Sequence, residues 1–237
     1  MAGRRYFMNR KIAFTMAETL VALLIVGVIA ATTIPNLVQN YKKHVVETRL
    51  QQAYSMLTQV VNRAQADYGD IDTWSKENYV ETYILPYLNK MTKVQKTSSS
   101  NWSDYSFRLT NDMQMSVSFY NNASLNSEGT SRGFYTKITV DINGNKKPNA
   151  QGRDRFNFYI FPEGARVYNT GGGNVAQGIP HAGVFWDGYG TNNSKKVSSY
   201  QYRGCGKDVT HTNKNSYCIE LIAKNGWKVP KNYPYKF

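Results

Sequence analysis

From Ala13 to Pro35 the chain reads AFTMAETLVALLIVGVIAATTIP, an apolar run with one carboxylate, Glu18, near its head and no further charge until Lys42. A run of this length is about what a helix needs to cross a bilayer, and a helix apolar on every side must be covered by lipid or protein. Few folds accept such a segment. A carboxylate at membrane depth costs several kcal/mol unless a cation meets it, so Glu18 asks for a partner. The nearest candidate is an ammonium created by cutting the chain before Phe14.

Upstream, MAGRRYFMNRKIA carries Arg4, Arg5, Arg10 and Lys11 and no acid. Four cations before the apolar run favour an N-in orientation, which Lys42, Lys43 and Arg49 weaken without reversing. Basic-then-apolar is also the order of a secretory signal peptide, here with a cut site at Val28-Ile29-Ala30. Two features stand against that reading. Glu18 lies inside what would be the apolar region, and the helical pattern does not stop at the cut. Val46, Leu50, Tyr54, Leu57, Val61, Ala64 and Tyr68 recur at steps of three or four, one stripe of an amphipathic helix. A plain signal anchor is the other alternative.

A helix from Phe14 to about Asp67 would span roughly 80 Å at 1.5 Å per residue, its first half apolar all round and its second half one-sided. The second half then needs a domain to pack on; the first half needs lipid or identical neighbours. Gly27 lowers helix propensity and Pro35 removes the amide that would bond the Ala31 carbonyl, so the stretch between them is a place for a kink, bend or unwinding. Tyr68-Gly69-Asp70 ends the helix. A shorter helix is expected from about Ser75 to Leu85, stopped by Pro86, with Lys96–Ser100 as a loop. The period then changes to two. Tyr105, Phe107 and Leu109 alternate, as do Met113, Met115, Val117 and Phe119, then Ile138, Val140 and Ile142, then Phe156, Phe158 and Ile160. Four such segments predict an antiparallel meander with one buried face, covered by the amphipathic half of the first helix, in an α+β fold.

The basic leader, the small Ala13 and the segment Phe14-Thr15-Met16-Ala17-Glu18 together resemble the processing signal of type IV pilins and type II secretion pseudopilins. The resemblance implies that a prepilin peptidase cuts between Ala13 and Phe14 and methylates the new amine of Phe14. The family usually has glycine where this chain has Ala13. Pro35 falls where many members also carry proline. The same resemblance implies a leader over 1–13, a transmembrane assembly helix over 14–35, and an exported pilin-like domain over 36–237. Glu18 and Pro35 become assembly residues. The implied partners are the peptidase, other pilin or pseudopilin subunits, membrane assembly machinery and the bilayer. The implied location is the cytoplasmic membrane, single-pass and N-in, then an extracellular or periplasmic filament.

Cys205 and Cys218 are the only cysteines. In an exported domain their pairing is the favoured state, worth roughly 3 kcal/mol, and the family often staples its C-terminal loop this way. A metal site of Cys205, His211 and Cys218 is the alternative, short of a fourth ligand in the usual spacing. Asp141-Ile142-Asn143-Gly144-Asn145, with Asp154 beyond it, resembles a loop recurrent in these proteins, some of which hold calcium nearby. Asp141, Asn143, Asn145 and Asp154 offer the oxygens a hard cation takes. Against calcium stand Lys146, Lys147, Arg153 and Arg155; the competing reading is a hairpin turn on Asn-Gly.

No catalytic constellation emerges: His44, His181 and His211 come with no nucleophile or paired carboxylate at a recognisable spacing, and Gly171–Gly173 opens no helix that could cradle a phosphate. The expectation is a subunit that is not an enzyme and needs no cofactor. The aromatic segment from Asn225 to Tyr235 reads as a tail packed on the surface. The formal charge of +13, or +9 without the four leader cations, suits attraction to DNA, anionic lipid or acidic polysaccharide, and leaves DNA or a polysaccharide as a partner of an accessory pilin or an anchored binding domain.

Overall fold

The long helix is one element, α1, running from Met16 to Tyr68. A computed structural model describes residues 15–75, 77–88, 91–99, 102–120, 135–144, 146–163, 166–167, 177–178, 181–189, 204–207 and 215–237. Two compact units share α1: Met1–Lys42 and Lys43–Phe237.

In the first unit the large apolar side chains are exposed, from Met16 at 83% to Val38 at 44%. Among the described residues α1 is the one helix long and apolar enough to cross a membrane. Gly27 to Pro35 stay helical. The Thr32 and Thr33 hydroxyls donate to the Ile29 carbonyl at 3.0 and 2.8 Å, and the Asn36 amide donates to the Thr32 carbonyl at 3.3 Å. These side chains give the carbonyls around the proline extra partners, as hydroxyls in apolar helices commonly do.

In the second unit α1 turns one-sided. Val46, Leu50, Ala53, Leu57, Val60, Val61 and Ala64 are buried, and the helix stops at Tyr68 before Gly69, whose φ of +78° suits the end of a helix. The buried stripe packs on a six-stranded antiparallel sheet in the order β1-β2-β3-β4-β5-β8, made of Met91–Ser99, Trp102–Leu109, Gln114–Tyr120, Tyr135–Asp141, Arg155–Phe161 and Gly183–Trp186. Two short strands, β6 Arg166–Val167 and β7 Gln177–Gly178, pair separately. Facing rows run straight across the sheet: Phe107 opposite Met115, Met115 opposite Val140, Val140 opposite Phe156. Tyr54 of α1 stacks on Phe158 with centroids 6.4 Å apart.

The four alternating segments are the strands β2 to β5 or run into them, and every residue named in them is buried. Three expectations are corrected. Lys96–Ser99 is part of β1, where Lys96 pairs with Tyr105 and Ser99 with Trp102; an edge strand needs backbone partners on one side only, so a polar run serves. The helix expected over Ser75–Leu85 shrinks to α2, Tyr79–Tyr83, between 3₁₀ turns at Ile71–Thr73 and Leu85–Tyr87. Aromatic stacking overrides helical continuity there: Trp74 lies 4.5 Å from Tyr83 and Tyr79 lies 4.2 Å from Phe119, centroid to centroid. The third is the four-segment meander, which β1 and β8 extend to six strands; β8 is too short to show a period.

Phe158 is fully buried between α1 and its neighbours in the sheet. Phe158→Ala should cost about 3–5 kcal/mol in urea unfolding followed by tryptophan fluorescence, whereas Gln52→Ala on the exposed side of α1 should stay within about 0.5 kcal/mol. Similar midpoints for the two variants would contradict this placement of the core.

Candidate functional site

Glu18 sits in the first turn of α1, and its carboxylate turns back on the helix start. One oxygen accepts from the Thr15 backbone N–H at 2.8 Å and from the Thr15 hydroxyl at 2.8 Å, while the Glu18 N–H donates to that hydroxyl at 3.3 Å. This is a reciprocal capping box, in which residues three apart satisfy each other's orphaned donors. The motif Thr-x-x-Glu was legible at Thr15–Glu18 as a helix start, a local role that the resemblance obscured. Ala17, Val21, Ala22 and Ile25 lie beside Glu18 along the same side of the helix. Ala13 and Phe14 lie outside the described residues. Pro35 is within α1, as expected.

The second cluster lies in the Lys43–Phe237 unit. Cys205 and Cys218 form a disulfide, and Cys218 opens α3, Cys218–Lys224. The connection between β4 and β5, from Ile142 to Asp154, passes directly behind it. Gly152 has a φ of +78°, and a Cβ built there would lie 2.6 Å from Cys218 Sγ. The hairpin is real, but Asn143-Gly144 is only the first turn of this longer connection. Asp154 ties it together: its carboxylate accepts from the Asn149 N–H at 2.7 Å, the Ala150 N–H at 2.6 Å and the Asn143 amide at 3.2 Å. Asp141 accepts from Arg155 Nε at 3.0 Å and the Asn143 N–H at 3.2 Å. Burial pushes the Asp141 carboxyl above its usual range, against the pull of Arg155. Of the oxygens considered for calcium, those of both aspartates are therefore engaged by the loop's own donors, and Asn145 lies outside the described residues. Among the described residues no three His, Cys, Asp or Glu side chains are grouped to hold a metal. His211 and Gly171–Gly173 lie outside the described residues.

The aromatic tail closes the cluster. Tyr233 donates its hydroxyl to the Gly152 carbonyl; Tyr235 donates to the Gly206 carbonyl at 2.9 Å; Arg153 Nη2 donates to the Lys236 carbonyl at 3.2 Å. Trp227 packs on Tyr54 and Trp186 with centroids 5.0 and 5.3 Å away. Tail and helix are clamped by Glu47, which accepts from the Val229 N–H at 2.8 Å and Lys228 Nζ at 3.3 Å. Burial works to raise the Glu47 carboxyl, and the Val229 amide, Lys228 and His44 outweigh it, holding it below the usual range. Glu220, buried in α3, accepts from Trp186 Nε1 and pairs with Lys224 at 2.8 Å; here burial prevails and the carboxyl is raised. The sequence signal for both acids was a carboxylate inside an apolar stretch, Glu47 beside Val46 and Glu220 beside Ile219.

Gly152→Ala should destabilise the oxidised protein by roughly 2–4 kcal/mol, since it combines a left-handed backbone with a clash against the disulfide. Reduction of the wild type should cost about 3 kcal/mol. Both are read from denaturant midpoints, and native protein should show no free thiol. The raised Glu220 carboxyl binds its proton more tightly in the folded than in the unfolded chain. Its contribution is therefore fully present below the ordinary carboxylate range and lost as pH rises through its raised range. Between pH 7 and about pH 5, Glu220→Gln should gain less stability on acidification than the wild type. Parallel stability curves for the two proteins would rule this out.

No curated protein and no solved structure matches the chain. One family model does, over residues 36–237, beginning directly after Pro35 and taking in the whole sheet, the disulfide and the tail. The chain belongs to this family, a family of unknown function (DUF6613).

Proposed function

We propose that the chain is a pilin-like structural subunit, processed at Phe14 by a prepilin peptidase and assembled through α1 into a type IV pilus or a type II secretion pseudopilus. The observation that carries this reading is the single carboxylate of Glu18 at the head of a helix whose apolar side chains lie exposed along its whole first half. One covalent element bears that helix and the stripe on which an α+β domain is packed. A helix that offers one half to lipid or to its own copies and the other to a domain is suited to stacking domains on a shared core of helices. On this reading the subunit enters the cytoplasmic membrane N-in with its domain exported, and later leaves for the filament. Its work is done by assembly, without an active site or cofactor.

A second reading is favoured by the capping box. Thr15 already supplies Glu18 with two donors, so the carboxylate is explained by helix capping alone in a membrane-anchored domain that binds DNA or a polysaccharide and forms no filament.

The experiment separates the two. Intact-mass measurement should show a mature chain beginning at methylated Phe14. Glutamine can take the place of glutamate in a capping box but carries no charge, so Glu18→Gln and Glu18→Ala are compared in the native host. Membrane levels should stay near normal for both, and sheared surface filaments should fall about tenfold or more for both, as expected when a buried ion pair loses one partner. Filaments restored by Glu18→Gln would leave capping as the role of Glu18, and an unprocessed leader would remove the filament reading altogether.

A further inference from the structure

We infer that Lys146, Lys147, Arg153, Lys207, Lys231 and Lys236 form a docking surface for anionic lipid headgroups, at the end of the domain where α1 enters it. The inference rests on the membrane-anchored part of the proposed function and not on filament assembly.

Three segments distant in sequence carry these cations, and named contacts bring them together. Arg153 reaches the Lys236 carbonyl, Tyr235 reaches the Gly206 carbonyl beside Lys207, and Tyr233 reaches the Gly152 carbonyl beside Arg153. The five lysines are exposed. Among the described residues, the acids of the same segments do not balance them outward. Asp141 and Asp154 are 5% and 3% exposed and face the interior of their loop, and the tail from Gly226 to Phe237 contains no acid. Lys228, the one tail lysine with a carboxylate partner among the described residues, is spent on Glu47. What remains outward is a group of positive charges with aromatic rings between them, Tyr233 and Phe237 stacked at 5.4 Å.

The position argues for lipid over other polyanions. Arg49 donates to the Ile142 carbonyl, and Glu47 holds Val229, so the loop and the tail both meet α1 within the first turns of its Lys43–Tyr68 part. The apolar run ends at Pro35, about a dozen residues before these in sequence. A basic surface tethered that close to a membrane-spanning segment stays within reach of headgroup charge, and each Lys or Arg near an anionic surface adds to the attraction. Half-buried tyrosines suit the same boundary.

The test uses the full chain reconstituted into vesicles of phosphatidylcholine alone and of phosphatidylcholine mixed with phosphatidylglycerol. Lysines are acetylated under limiting reagent and read by peptide mass spectrometry, with Lys96, paired with Glu81 on β1, as the internal reference. Lys146, Lys147, Lys207 and Lys236 should react roughly fivefold more slowly in the anionic vesicles, while Lys96 is unchanged and added salt reverses the effect. Combining Lys147→Glu, Lys207→Glu and Lys236→Glu should return Lys146 to its rate in neutral vesicles, at an unfolding midpoint matching the wild type. Equal rates in the two vesicle types overturn the inference. So does protection of these lysines by duplex DNA on detergent-solubilised protein when anionic vesicles give none, which would assign the surface to nucleic acid. Failure to enter either vesicle overturns the anchored reading and this inference with it, whereas protein that enters and shows equal rates overturns this inference alone.

Discussion

The second unit depends on one burial: the stripe Val46–Leu50–Leu57–Val61–Ala64 against the sheet. Each Val or Leu side chain of it removed from water contributes roughly 1.5–3 kcal/mol, and none can be buried by the helix itself. The sheet is in the same position, with an apolar face that it cannot cover itself. Each element therefore supplies the other's missing layer, which is why the alternating strands and the one-sided helix belong to one fold. The register makes the fit specific. Shifting β4 by one residue would turn Ile138 and Val140 outward and bring Lys137 and Thr139 beneath α1.

What could be read from the sequence was what periodicity records. The stripe of α1 and the alternation of β2 to β5 are long enough to declare a period, and each named residue of those strands is buried. Elements fixed by tertiary contact were not legible. β1 is polar because it lies at an edge, β8 has four residues, and the span expected as a helix over Ser75–Leu85 is held by a stack of Trp74, Tyr79 and Tyr83. At the candidate site the cysteine pair could be read from composition and context. The close approach of Gly152 to Cys218 could not, because it depends on a loop whose shape is set by Asp154.

The C-terminal cluster shows how a domain with a one-sided sheet closes its ends. The disulfide, the Ile142–Asp154 connection and the tail each lack a core of their own, and they are joined by bonds between backbone carbonyls and tyrosine hydroxyls. Those bonds are modest singly, near 1 kcal/mol each. Glu47 and Arg49 connect this cluster to the helix, the first through the Val229 amide and the second through the Ile142 carbonyl. A change in the tail therefore reaches α1 through two polar contacts as well as through the packing of Trp227 on Tyr54.

On the proposed reading, Glu18 faces two different solvents, and the capping box answers only one of them. In a bilayer the first turn of α1 lies near the headgroups, where water still reaches a carboxylate, and the two donors from Thr15 are enough to hold it. Inside a packed bundle of such helices the water is gone, and an uncompensated carboxylate costs about 3–5 kcal/mol. The cap supplies hydrogen bonds but no charge, so assembly demands a cation where insertion does not. The Phe14 ammonium, one turn away in the sequence, is the group that processing would create for it. A carboxylate content within its own helix but costly in a bundle without a partner would keep subunits apart in lipid and select the register in which they stack.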